Sequence, residues 1–199
     1  MARAAVGEDR SDGLGAGIGG STVGRFDGKV VVVTGGGGGQ GRSHALALAR
    51  EGAQVSLWDV NADAVGEAAA GVKDAGGDAL GLTVDLTDTA QVASATHQTV
   101  ETFGGIDHLV AQQGKMPRAQ EVWTVPESDW DRTIAINLTG TFLTCKHVIP
   151  EIIARGRGGA IVLTSSTAGL FGYPYRVAYG VAKHGVLGLG KGLTNELAP

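Results

Sequence analysis

Tyr179 and Lys183 stand four residues apart in Tyr-Gly-Val-Ala-Lys, a spacing that puts a phenol and an ammonium on one face of a helix. A cation beside a phenol favours the phenolate, so this pair can trade a proton with an alcohol or a carbonyl oxygen. Taken alone, such a pair on an arbitrary helix is an ordinary surface pair. Ser166 adds weight because it follows an apolar segment ending at Thr164, where a strand would present its hydroxyl at the sheet's carboxyl edge.

A second group of residues suits a phosphate-bearing ligand. Thr34-Gly-Gly-Gly-Gly-Gly-Gln-Gly41 lies between the β-branched run 30–33 and an amphipathic segment over 42–51, where glycines let backbone approach a pyrophosphate at a helix N-terminus. About twenty residues further on, Asp59 closes the next apolar segment, placed to accept hydrogen bonds from a ribose and to repel a 2′-phosphate. That spacing favours NAD over NADP, with Arg42, just past the loop, as the residue that argues the other way.

These residues need elements to position them. Strands are predicted at 30–33, 55–59, 79–84, 106–111 and 160–164, alternating with helices over 42–51, 61–74, 87–103 and 127–153 and a last one from about 179. Asn61 is a helix cap, and Asp88 with Gln91 has capping-box spacing. The long stretch 127–153 is expected to bend or divide near Pro150. Strict strand and helix alternation argues for α/β architecture, a doubly wound parallel sheet of Rossmann type that binds ligands at the carboxyl ends of its strands. Five strands are present where the full six-strand order has one more.

Composition narrows the function further. The 199 residues are 43% hydrophobic and 18% charged with a net charge of -4, which suits one domain and supplies no basic surplus for nucleic acid. No apolar run is long enough to span a membrane, and no secretory signal opens the chain. The lone Cys145 reads as a small buried hydrophobe in a cytoplasmic protein. His44, His97, His108, His147 and His184 show no ligand spacing, so no metal is expected. Residues 1–25, rich in Gly and Ala without periodicity, read as a disordered leader to a domain over 26–199. Trp123, Trp130 and Phe171 are read as core residues rather than walls of a substrate cleft.

From about Phe26 to Pro199 these motifs resemble the short-chain dehydrogenase/reductase family in order and spacing. Thr34, Gly35, Gly39 and Gly41 look like its TGxxxGxG loop, with Gln40 inside it, and Asp85-Leu86 looks like its adenine-contacting pair. The resemblance implies a tetrad of Asn137, Ser166, Tyr179 and Lys183. In it Tyr179 is the general acid/base, Lys183 assists it and holds the nicotinamide ribose, Ser166 steadies the reacting oxygen, and Asn137 maintains a water-linked proton path. Gly114 joins the cofactor residues. The implied reaction is hydride transfer between a secondary alcohol or ketone and nicotinamide, in a homodimer or homotetramer built on helices 127–153 and 179–197. GQGRSHA and YGVAKHGVLGL further resemble the carveol-dehydrogenase-like, mycofactocin-associated subgroup, although DVNADAVGEAA lacks that subgroup's usual insertion.

Two departures from the family pattern stand out. Ala111-Gln112-Gln113-Gly114 replaces the usual NNAG, a change expected to alter cofactor geometry. The ending at Pro199 leaves out, by the same resemblance, the Pro-Gly turn, the mobile substrate loop and the final helix and strand, and leaves the fifth strand as an edge. Two other readings stay open on the residues. One is a truncated, inactive relative that binds a nucleotide or a partner. The other is an NADP-dependent 3-oxoacyl thioester reductase, which Asp59 disfavours.

Overall fold

The protein is described by a computed structural model covering residues 24–198. Five strands, β1 (Val30–Thr34), β2 (Gln54–Asp59), β3 (Asp78–Thr83), β4 (His108–Ala111) and β5 (Ala160–Leu163), form one parallel sheet in the order β3-β2-β1-β4-β5. The expected doubly wound α/β sheet is therefore present. Its order reverses between β1 and β4, the crevice where such sheets bind ligands.

β1 is central and wholly buried, which is why its sequence is an unbroken valine run with no polar alternation. Val31, Val33, Val55 and Leu57 pack under α1 (Gly39–Arg50) and α2 (Ala62–Asp74) on one face. Val32, Trp58 and Leu109 pack under α3 (Thr89–Phe103) and α5 (Gly140–Arg155) on the other. Trp58 is fully buried with its indole N–H satisfied by Ser56 Oγ at 2.9 Å, and Ser56 in turn bonds Thr99 on α3 at 2.7 Å. Cys145 lies in this second layer, and burial pushes its thiol pKa up to about 11, the inert state expected for it.

Helix ends follow the sequence signals. Asn61 Oδ1 accepts from Ala64 N at 3.1 Å to start α2, and Asp88 accepts from Ala90 N at 2.8 Å to start α3. Gln91 does not close a reciprocal box. Its Oε1 instead takes the N–H of Asp85, tying the end of the β3 segment to the helix. Gly104 ends α3 in the left-handed conformation, φ +77°.

The helical stretch over 127–153 differs from expectation. The stretch from α4 (Glu127–Ile134) into α5 is not divided at Pro150, which α5 carries inside it. It loosens instead into a π-helical turn at Ala135–Thr139, with Asn137 at its centre. Asn137 is fully buried there and belongs to the site described below.

Beside α5 lies the long α6 (Val177–Leu197), which begins two residues before Tyr179. β5 is an edge strand whose Val162 is 53% exposed, and Ile161 and Leu163 with the ends of α5 and α6 line an apolar cavity of about 590 Å³. Trp123, Trp130 and Phe171 are all exposed, Trp123 to 79%, which corrects their reading as core. Of the expected leader, only Gly24 and Arg25 fall within the described residues, where Arg25 pairs with Glu51 at 3.0 Å. Among the described residues no group of metal-ligating side chains gathers, and no helix is long and apolar enough to cross a membrane.

Candidate active site at the carboxyl edge of the sheet

The loop after β1 shows which glycines the backbone itself requires. Gly35 has φ +64°, and a Cβ there would also meet Gln113 Cα at 3.0 Å. A Cβ on Gly41 would fall 2.2 Å from the Gly35 carbonyl oxygen, so loop and helix close only without one. Gly39 has open space around it and no unusual φ. The first turn of α1 is thus open to approach from outside at this position. The structure starts α1 at Gly39 rather than at Arg42, because poor helix formers can still form a first turn when tertiary packing holds them. Gly38, the residue before it, offers no side-chain cap, leaving first-turn N–H groups free for an anion.

Asp59, at the end of β2, is held by two backbone donors, Gly37 N to Oδ2 and Asn61 N to Oδ1, each at 3.0 Å. Arg42 is already engaged. It donates to the carbonyls of Gly37 and Ala64 at 3.0 and 3.1 Å and pairs with Glu67 at 2.8 Å, which removes it as a ready partner for a 2′-phosphate. Gly35, Asp59, Asp85, Leu86 and Gly114 line one cleft of about 570 Å³. Five predicted cofactor residues from four segments of the chain thus meet at one site.

Of the four residues expected to act together, Asn137 and Lys183 meet at Gly114 on the wall of that cleft, and Tyr179 faces Lys183. Asn137 is fully buried, donating to the carbonyls of Lys115 and Thr133 at 3.0 and 2.9 Å and accepting from Lys115 N at 3.0 Å. Lys183, only 3% exposed, donates to the carbonyl of Thr164 at 2.8 Å, and desolvation lowers its pKa from the ordinary lysine value. Its Nζ lies 5.8 Å from the centre of the Tyr179 ring, which is itself partly exposed. Gly114 is the meeting point, since a Cβ there would lie 3.1 Å from Asn137 Oδ1 and 3.4 Å from Lys183 Nζ.

Ser166 caps the 3-10 turn Thr167–Gly169, accepting from Ala168 N at 3.2 Å. That turn packs on α6 beside Lys183, where Ser165 Oγ donates to the Lys183 carbonyl at 2.9 Å. Ser165, Gln112 and Gln113 also make side-chain hydrogen bonds at this edge of the sheet, and their types alone did not single them out. For the glutamines, the signal available was their position in place of NNAG. Thr34 reaches both of them, donating to Gln113 Oε1 and accepting from Gln112 N at 3.1 Å, and Gln40 reaches Gln112 at 2.8 Å.

Similarity to known proteins agrees with this geometry. The chain is 40% identical over 187 residues to (-)-trans-carveol dehydrogenase of Rhodococcus erythropolis, covering 88% of this chain and 68% of that protein. Among solved structures, carveol dehydrogenase from Mycobacterium avium in complex with NAD superposes with a TM-score of 0.86 at 37% identity. It covers 88% of this chain and 68% of its own. NAD+-bound xylitol dehydrogenase superposes with a TM-score of 0.85 at 36% identity, covering 88% and 67%. The short chain dehydrogenase family matches residues 29–199, and the chain belongs to it.

Proposed function

We propose that this chain is an NAD-dependent oxidoreductase acting on a secondary alcohol or ketone, with Tyr179 as general acid/base. The observation that carries the reading is the buried Lys183, fixed by Thr164 and facing the Tyr179 ring at 5.8 Å, beside a cleft built to take a dinucleotide.

The residues present fit that cofactor. Gly39 leaves room for a pyrophosphate over the first turn of α1, Asp59 accepts from a ribose, and Asp85 and Leu86 frame the far end of the cleft. With Arg42 held by Glu67, the carboxylate of Asp59 supports NAD over NADP, and so an alcohol dehydrogenase over an NADP-dependent 3-oxoacyl thioester reductase. NAD, when bound, supplies the hydride acceptor.

The chain's own residues handle the proton. Tyr179 takes it from the substrate hydroxyl during oxidation and returns it to the carbonyl oxygen during reduction. Lys183 supplies positive charge next to the oxygen that becomes anionic. Ser166, partly exposed at the end of the segment after β5, orients the substrate oxygen. Asn137, locked to the backbone of Lys115, supports a water-linked path for the proton to leave. Exposed Phe142 on α5 and Val181 on α6 support assembly as a homodimer or homotetramer through these helices.

Calorimetry with NAD(H), beside a screen of secondary alcohols and a Tyr179→Phe variant, tests the reading. Binding with turnover that disappears in the variant supports it. Absence of binding to folded protein overturns it, and binding without turnover reduces it to nucleotide binding alone.

A further inference from the structure

Gln112 and Gln113 each use both ends of a primary amide, but for different tasks. Gln113 is buried, with Oε1 accepting from Thr34 Oγ1 and Nε2 donating to Thr141 Oγ1 at 2.7 Å, a brace between β1 and α5. Gln112 is partly exposed and reaches sideways across the mouth of the crevice. Its Nε2 donates to Gln40 Oε1 at 2.8 Å, and its Oε1 accepts from Thr164 Oγ1 at 2.7 Å.

The two partners are the informative part. Gln40 sits in the first turn of α1, inside the glycine loop, 72 residues away in sequence. Thr164 directly follows β5 and turns its two oxygens in different directions, its hydroxyl to Gln112 and its carbonyl to Lys183 Nζ at 2.8 Å. The result is one connected path, Gln40 to Gln112 to Thr164 to Lys183. A shorter amide at 112, one methylene smaller, cannot span both neighbours.

We infer that Gln112 is a positioning residue that holds the dinucleotide-binding loop at a fixed separation from the catalytic lysine. The inference rests on the cofactor reading above and assigns a purpose to the departure from NNAG. The altered geometry expected at this position takes the form, on this inference, of a cross-brace between Gln40 and Thr164. Because the Gln40 amide can turn over together with that of Gln112, the brace keeps two hydrogen bonds in either amide orientation.

Three variants separate this role from plain structural support. Thr164→Val removes the hydroxyl and keeps both shape and the carbonyl that holds Lys183. Thr164→Ser restores the hydroxyl. Gln112→Leu removes both amide bonds. The expected result by calorimetry is an NAD dissociation constant raised about fivefold in Thr164→Val and Gln112→Leu, the size of one net hydrogen bond, with Thr164→Ser near wild type. The double variant Gln112→Leu/Thr164→Val should bind NAD no more weakly than Gln112→Leu alone, since both break one path. In turnover, KM for NAD should rise while KM for the alcohol does not. If Gln112→Leu fails to fold, the two Thr164 variants still decide the matter. NAD affinities within twofold of wild type, or additive losses in the double variant, overturn the brace while leaving the cofactor reading intact. A wild-type protein that does not bind NAD overturns both.

Discussion

Lys183 Nζ lies 5.8 Å from the centre of the Tyr179 ring, one helical turn along α6, and the carbonyl of Thr164 holds it there from the end of β5. A lysine ammonium is ordinarily left in water, and this one is 3% exposed. The fold therefore carries a desolvation cost at this position, and a buried cation set beside a phenol is the kind of cost that chemistry justifies.

Lys183→Met should lower kcat by about 10²-fold or more while leaving the fold intact. Its stability should also differ from wild type in a pH-dependent way. Burial depresses the folded pKa of Lys183 below the unfolded value of 10.5, so between the two the unfolded chain binds more protons and wild-type stability rises with pH. Urea unfolding at several alkaline pH values, compared with the Met variant, should show that gain in wild type only. Parallel curves would contradict it.

Asp107 is the electrostatic anchor at the opposite, amino-terminal edge of the sheet. It is fully buried, accepts from Val30 N at 2.9 Å, receives Arg157 at 2.9 Å on both oxygens, and has Lys29 at 3.7 Å. Burial raises its pKa, but the Val30 N–H, Arg157 and Lys29 together outweigh burial and hold the carboxyl below 3.8. Its contribution is present above the unfolded pKa and lost as pH falls through the depressed folded value. Asp107→Asn should cost about 3 kcal/mol by chemical denaturation at neutral pH and flatten the acid limb of the stability curve. Turnover per folded molecule should not change, because the site lies at the other end of the strands.

Much of this architecture could be read from residue order, and the exceptions share a cause. The Val30–Thr34 run, the glycine loop, and the caps Asn61 and Asp88 are local signals, set by neighbours within a few residues. The π-turn at Asn137 is not local. Its central Asn137 is tied to the backbone of Lys115, 22 residues away, and Pro150, the visible break signal, sits inside an unbroken α5. Gln112 and Arg42 tell the same story, since one is defined by Gln40 and Thr164 and the other by Glu67, none of them adjacent in sequence. The aromatics Trp123 and Phe171 point outward because their segments sit on the surface, a fact of topology that side-chain type does not encode.

Cofactor choice can be tested at Asp59. Asp59→Asn keeps an acceptor for Gly37 N or Asn61 N but removes the negative charge that repels a 2′-phosphate. Relief of about 1.4 kcal/mol corresponds to a tenfold gain in the kcat/KM ratio of NADP to NAD. Adding Glu67→Gln, which loosens Arg42, should increase the ratio further. A ratio unchanged in both variants would remove Asp59 and Arg42 from the account of specificity.

Gly114 offers the sharpest test of how closely the site is fitted. A Cβ at this position would stand 3.1 Å from Asn137 Oδ1, tighter than ordinary contact, and 3.4 Å from Lys183 Nζ, at the near limit of it. Neither neighbour moves freely, since Asn137 makes three hydrogen bonds of 2.9–3.0 Å and Lys183 is tethered to Thr164. Gly114→Ala must therefore displace Asn137 by a few tenths of an ångström and press against Lys183. A misplacement of about 1 Å costs on the order of 10² in rate, so a loss of roughly tenfold in kcat is expected, with thermal stability changed little. Gly114→Val should lose more of both. Wild-type kcat in the Ala variant would mean that Asn137 and Lys183 need no close register for turnover.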